Sequence, residues 1–165
     1  MQMQPIHRDR LLRVRYLMEQ LSLQSDQRDR SLGRLGTEFS FNIGYIGRVS
    51  DPNTYMACSS VCCVMGAAAL DPELEELTGR FLPSDVGGAF ERLDLYLNGE
   101  PVEYDGPDLA EWFGLSVHDH EELTNATGYE AGDDASPEDV ISKIDRYLQE
   151  AGYEVPQKTQ ELVTA

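Results

Sequence analysis

The chain has 165 residues, 41% hydrophobic and 26% charged, with a formal net charge of −17. That is enough chain for one domain with a real core of its own. No run approaches the roughly 18 apolar residues a membrane span needs, and residues 1–8 hold no apolar signal core, so secretion is not expected.

The charge is unevenly placed. Residues 1–48 carry eight arginines against five acids, while residues 49–165 carry five basic groups against 25 acids. Such a surface repels nucleic acid and anionic membranes and favours solubility or a basic partner; acid-rich and poor in lysine, it fits first a plain solvated face from a high-GC or salt-adapted source. Mimicry of a DNA-like polyanion is a weaker alternative, because the acids interleave with apolar periodicity instead of forming rows. Three cysteines, an odd number in helix-like surroundings, argue against a disulfide framework and for a reducing cytoplasm.

Taken in order, residues 8–23 predict a helix, with Leu11, Val14, Met18 and Leu21 on one face. Arg8, Arg10, Arg13 and Arg15 crowd its first half, against the preference of the helix dipole. They either pair with the acidic remainder of the chain or dock an anion. This helix is also the expected surface for any homo-oligomer. Residues 25–36 read as a polar connector. Residues 39–46 alternate apolar and small polar side chains and predict a short strand, followed by a turn at 50–53. Residues 58–70 are free of charge, hold all three cysteines and are rich in alanine, which predicts a buried central helix. Asp71 then caps a helix over 73–78 with Pro72 in its first turn, and Gly79 stops it.

Residues 83–90 read as a glycine-containing loop. The stretch 89–104 fits two structures. Ala89, Phe90, Leu93 and Leu97 fit a helix ended by Asn98-Gly99; a β-hairpin turning at Asn98-Gly99, with Pro101 on an edge strand, is the competitor. The helix is preferred. Residues 108–113 predict a short helix ended by Gly114, and Ser116 caps another reaching about residue 125. Residues 128–135 form an acidic loop. Ser136-Pro137-Glu138-Asp139 opens the last helix, which carries Val140, Ile141, Ile144, Tyr147, Leu148 and Ala151 as its apolar stripe and ends at Gly152. The domain is therefore expected over 1–152, with 153–165 as a flexible tail.

Several of these blocks occur in one order: Phe41-Asn42-Ile43, then Cys58, Cys63, Val64, Gly66 and Ala68, then Trp112-Phe113-Gly114-Leu115 and Pro137. The chain resembles a family of small uncharacterised proteins of bacteria, prophages and tailed phages. Its pattern runs Phe-Asp/Asn-Met, Cys-Gly-Thr-x-x-Cys-Ile-x-Gly-His-Ala, Leu-Gly-Leu and Thr-Pro-x-x-Ala. Ser59, Ser60 and Ala67 stand where the pattern has Gly, Thr and His. The resemblance implies a phage-type accessory protein working in a host cytoplasm, with no activity attached.

Four constellations could carry chemistry. Cys58 and Cys62, four apart on one helical face, could hold zinc with His118 and His120, but the spacing suits small buried thiols better. Cys58 near a helix start could be a nucleophile if a histidine reached it. Arg48 with Cys58, Ser59 and Ser60 at the same helix start could hold a phosphate, for example of a nucleotide signal. Trp112 and Phe113, about 100° apart on their helix, could divide between core and partner, although two core rings are the more ordinary arrangement. No dinucleotide or P-loop motif is present.

The expectation is thus an α+β, mostly α domain around a buried central helix. It is cytoplasmic, without cofactor, metal or catalytic residue. It would bind a host protein or a small nucleotide-like molecule, without membrane or direct nucleic-acid contact, and so counter a host defence. A thiol- or metal-dependent enzyme is the alternative from another class.

Overall fold

The structure is a computed structural model that describes residues 2–32, 39–43, 47–50, 61–83 and 90–156; for residues 25, 47–50, 61–62, 81–83 and 90–92 only the backbone is considered. It is an α+β fold in which helix outweighs strand. In chain order the elements are α1 (Pro5–Ser22), β1 (Ser40–Phe41), β2 (Gly47–Ser50), β3 (Val61–Cys62), α2 (Val64–Ala69), β4 (Leu77–Pro83), β5 (Phe90–Leu97), β6 (Glu100–Pro101), α3 (Pro107–Trp112), α4 (Val117–Thr124) and α5 (Pro137–Glu150). No helix among the described residues is long and apolar enough to cross a membrane.

The strands form one sheet in the order β1-β3-β2-β5-β4, with β6 added to β5. Its backbone is the long antiparallel pair β4–β5, in register from Leu77 opposite Leu97 to Pro83 opposite Glu91. Helix α2 lies at the centre. It meets β3, β4 and β5 on one side and α1 and α4 on the other, and all six of its residues are buried. Small side chains at Gly66 and Ala67–Ala69 let these layers approach closely. The apolar face of α1, with Leu11, Val14, Leu17 and Met18 fully buried, packs chiefly on Val140, Ile144 and Leu148 of α5 and on α2. That face is therefore occupied within the chain.

Four expectations change. The central helix is shorter than 58–70: Val61 and Cys62 are strand, pairing with β1 and β2, and Cys63 occupies the N-cap. The helix over 73–78 does not form. Asp71 instead turns its carboxylate onto Arg13, and the chain passes through turns into β4, with Gly79 in mid-strand. Residues 90–97 are strand, not helix. Asn98 (φ 52°) and Gly99 (φ 84°) make the two-residue turn into β6, because a full-length partner strand is on hand in β4. Of the strand read over 39–46, Ser40–Phe41 is strand among the described residues, and residues 44–46 lie outside them. The turn at 50–53 and the loop at 83–90 lie mostly outside the described residues.

Other helices follow local chemistry. Ser136 accepts from the Asp139 amide while Asp139 accepts from the Ser136 amide, a reciprocal cap for α5. Ser116 accepts from the Asp119 amide at the start of α4. Gly114 ends α3 at φ 68°, a conformation costly for any other residue. Of the expected tail, Tyr153 and Val155 pack on the core and the Tyr153 hydroxyl donates to the Met3 carbonyl; residues 157–165 lie outside the described residues.

Candidate functional site

The arginines of α1 are the first question, and the fold answers it. Arg8 pairs with Asp9, Arg10 with Glu76, Arg13 with Asp71, and Arg15 with Asp145 and Glu19. Arg13 and Asp71 meet through two bonds of 2.7 and 2.8 Å, and the Asp71 side chain is wholly buried. Burial works against the Arg13 charge, yet the bond to Asp71 outweighs it and the pKa rises. Each of these four charges is answered inside the chain, so the cluster is structural and offers no free anion cradle.

Trp112, the single tryptophan, ends α3 beside Phe113. Their rings meet edge to face at 4.9 Å. Phe113 is fully buried and stacks toward His120 at 6.0 Å. Trp112 is 8% exposed. The Arg10 guanidinium covers its ring at 4.3 Å and donates to its carbonyl at 2.7 Å. Burial lowers the Arg10 pKa, with Glu76 opposing. Glu76 Oε2 accepts from the Trp112 indole N–H at 2.8 Å and from Arg10 at 3.2 Å. Both rings are thus core, the more ordinary of the two expected arrangements, and Trp112 keeps a small exposed edge.

Two grooves meet at that edge. One, of about 310 Å³, runs between α1 and the turn before β4; Ile6, Leu74 and Trp112 make its apolar surface, and Asp9, Glu73, Glu75 and Glu76 its acidic rim. The other, of about 290 Å³, lies between the β5–β6 hairpin and α3. Leu97, Pro101 and Val102 line it with Glu100, Asp108 and Glu111, and no basic residue is among the described residues that line it. A larger cleft of about 430 Å³ opens elsewhere, by Gln2, Gly114, Ser116 and Glu150. Its inner polar groups already bond one another, as Tyr147 does to the Asp119 carbonyl and Ser116 to the Asp119 amide, so it offers little to a ligand. The Trp112 grooves are the better candidate, because they expose apolar surface with unanswered charge beside it.

The remaining expected residues fall apart. Antiparallel pairing of β2 and β3 sets Arg48 opposite Val61, the residue after Ser60, while Cys58, Ser59 and Ser60 lie outside the described residues. Because α2 begins at Val64, those three are not its first turn. For the same reason Cys62, in β3, cannot share a helical face with Cys58. His118 is exposed and faces Glu122 at 3.2 Å, whereas His120 is fully buried and its Nε2–H donates to the Tyr104 carbonyl at 2.9 Å. Cys63 is buried, and burial pushes its thiol pKa up. Among the described residues no group of three or more His, Cys, Asp or Glu is placed to hold a metal ion.

Sequence reasoning singled out Trp112 but missed Arg10 and Glu76 as its partners and Ile6 as the apolar neighbour. Nothing local signals them, since Arg10 and Glu76 lie 102 and 36 positions from Trp112. No protein-family model, curated protein or solved structure matches this chain.

Proposed function

We propose that the protein is a non-catalytic binding protein, a phage-type accessory factor that acts by engaging a host protein. The supporting observation is the Trp112 edge, clamped by Arg10 and Glu76 where two acid-rimmed apolar grooves meet. Exposed Ile6, set beside a rigidly held aromatic, offers a partner an apolar contact that costs little ordering entropy. The phage context comes from the resemblance carried by the Phe41, Cys63 and Trp112 blocks, and a counter-defence role follows from that context. Capture of a nucleotide signal is the small-molecule form of the same reading; its basis in Arg48 with Cys58, Ser59 and Ser60 is weakened, because α2 begins at Val64 and those residues do not form a helix start there. Support for a thiol enzyme is weaker: Cys63 is buried with a raised pKa, and burial lowers the pKa of His120, whose Nε2–H is committed to the Tyr104 carbonyl.

Native mass spectrometry of the full chain purified from expressing bacterial cells tests this. A protein bound in fixed stoichiometry, and lost in an Ile6→Asp variant, is the expected result. A co-purified nucleotide would move the function to the small-molecule form. A stoichiometric metal ion, or turnover of a substrate, would overturn it.

A further inference from the structure

We infer that the two grooves meeting at Trp112 form one docking surface for a basic peptide segment that carries an apolar anchor residue. This deepens the binding reading above and rests on it. Ile6 is 52% exposed and is one of only two exposed large apolar side chains among the described residues. It stands in the α1-side groove beside Leu74 and Trp112, where burying it would reward an apolar side chain from a partner.

Charge decides the rest. Arg10 and Arg13, the basic residues of the α1-side groove, are already tied to Glu76 and Asp71. Glu73 and Glu75 are exposed and make no ion pair among the described residues. Across the Trp112 edge, Asp108 and Glu111 continue the acidic rim, and no lysine or arginine among the described residues lines that groove. An incoming segment therefore meets a net negative field on both sides of an apolar strip. Such a field attracts lysine and arginine and turns away nucleotides, nucleic acid and acidic peptides. The chain's net charge of −17 adds long-range attraction of the same sign. Because the two grooves share Trp112 as a lining residue, a ligand that engages both is a segment several residues long with positive charge flanking one apolar residue.

The single tryptophan makes a direct test. The full chain is titrated with a tryptophan-free, fluorescein-labelled peptide of alternating lysine and arginine with a central leucine. Trp112 emission and peptide anisotropy are followed together. The expected result is saturable binding that shifts Trp112 emission, weakens with salt, and weakens when the leucine is replaced by serine. The triple variant Glu73→Lys, Glu75→Lys, Glu111→Lys should bind about tenfold or more weakly. A matched triple of exposed acids outside both grooves, Glu130→Lys, Asp133→Lys, Glu138→Lys, should lose less than about threefold. Circular dichroism confirms that both variants fold. Equal loss in the two triples would reduce the effect to overall charge and overturn the inference. Binding without a Trp112 response, or equal binding of the glutamate counterpart peptide, would overturn it as well. If neither peptide binds while native mass spectrometry still shows a protein partner, the docking surface is wrong and the binding reading survives.

Discussion

The Trp112 indole N–H bonds to Glu76 Oε2 at 2.8 Å, fastening the end of α3 to the turn that leads into β4. Arg10 donates to the same oxygen at 3.2 Å, so one carboxylate ties α1, α3 and the sheet together around the candidate interface.

Replacing Glu76 by alanine removes both acceptor contacts. The carboxylate is about half exposed, so the expected cost is modest, about 1–2 kcal/mol in urea unfolding. Trp112 emission should shift to the red as its edge opens. Glu76→Gln keeps an acceptor oxygen and should cost less. Equal losses for the two would mean that the charge, and not the indole bond, holds the clamp.

Arg13 and Asp71 should behave as a buried pair. Arg13→Met leaves the wholly buried Asp71 carboxylate without its partner, a loss of about 3 kcal/mol at neutral pH. Adding Asp71→Asn removes the stranded charge and should restore more than half. A double variant as unstable as the sum of the single variants would refute the pairing.

At Gly79 a Cβ would stand 2.5 Å from Leu93 Cδ1 and 3.3 Å from the Ala69 Cβ, where α2 crosses β4. Leu93 is buried and has little room to turn away. Gly79→Ala should therefore cost about 1–3 kcal/mol by thermal or urea unfolding. An alanine without cost would mean that this crossing is looser than the contact implies.

Acid should destabilise the fold through His120. Its Nε2–H is committed to the Tyr104 carbonyl, and a second proton would enter at Nδ1, which is buried without a hydrogen-bond partner among the described residues. Burial lowers its pKa, with the Tyr104 carbonyl and Asp105 opposing. The unfolded chain thus takes up this proton first, near the ordinary value of about 6.5. The stability tied to neutral His120 is complete above that pH and is lost as pH falls toward the lower folded value. Urea unfolding between about pH 7.5 and 5.5 should show the decline, with a slope of at most about 1.4 kcal/mol per pH unit from this group. His7, its pKa also lowered chiefly by burial, adds a term of the same sign. A His120→Gln variant should be flatter over this range, and an unchanged slope would assign the effect elsewhere.

The buried Cys63 thiol should resist labelling. In a Cys58→Ser, Cys62→Ser background, a thiol reagent should modify Cys63 only as fast as the protein unfolds, because burial both shields it and disfavours the thiolate. Rapid modification of the native protein would revive the thiol-enzyme alternative.

The sequence by itself determined some of the helix ends. Ser136, Pro137 and Asp139 start α5 and Gly114 stops α3, because caps depend on groups three or four residues apart. At Asn98-Gly99 it marked a break in the chain without deciding between a helix end and a hairpin turn. Period marked the α1 face, and small residues marked a buried centre within 58–70, of which Val64–Ala69 is helix. Only the tertiary structure decided that 90–97 is strand, since its apolar residues suit either period and the deciding hydrogen bonds come from β4. It also decided that Asp71 serves Arg13, 58 positions away, and caps no helix, because an ion pair made across the fold outweighs a local cap. Trp112 was legible as the one tryptophan. Its clamp and its grooves were not, because Arg10, Glu76 and Ile6 reach it only when α1 packs against the sheet and α3.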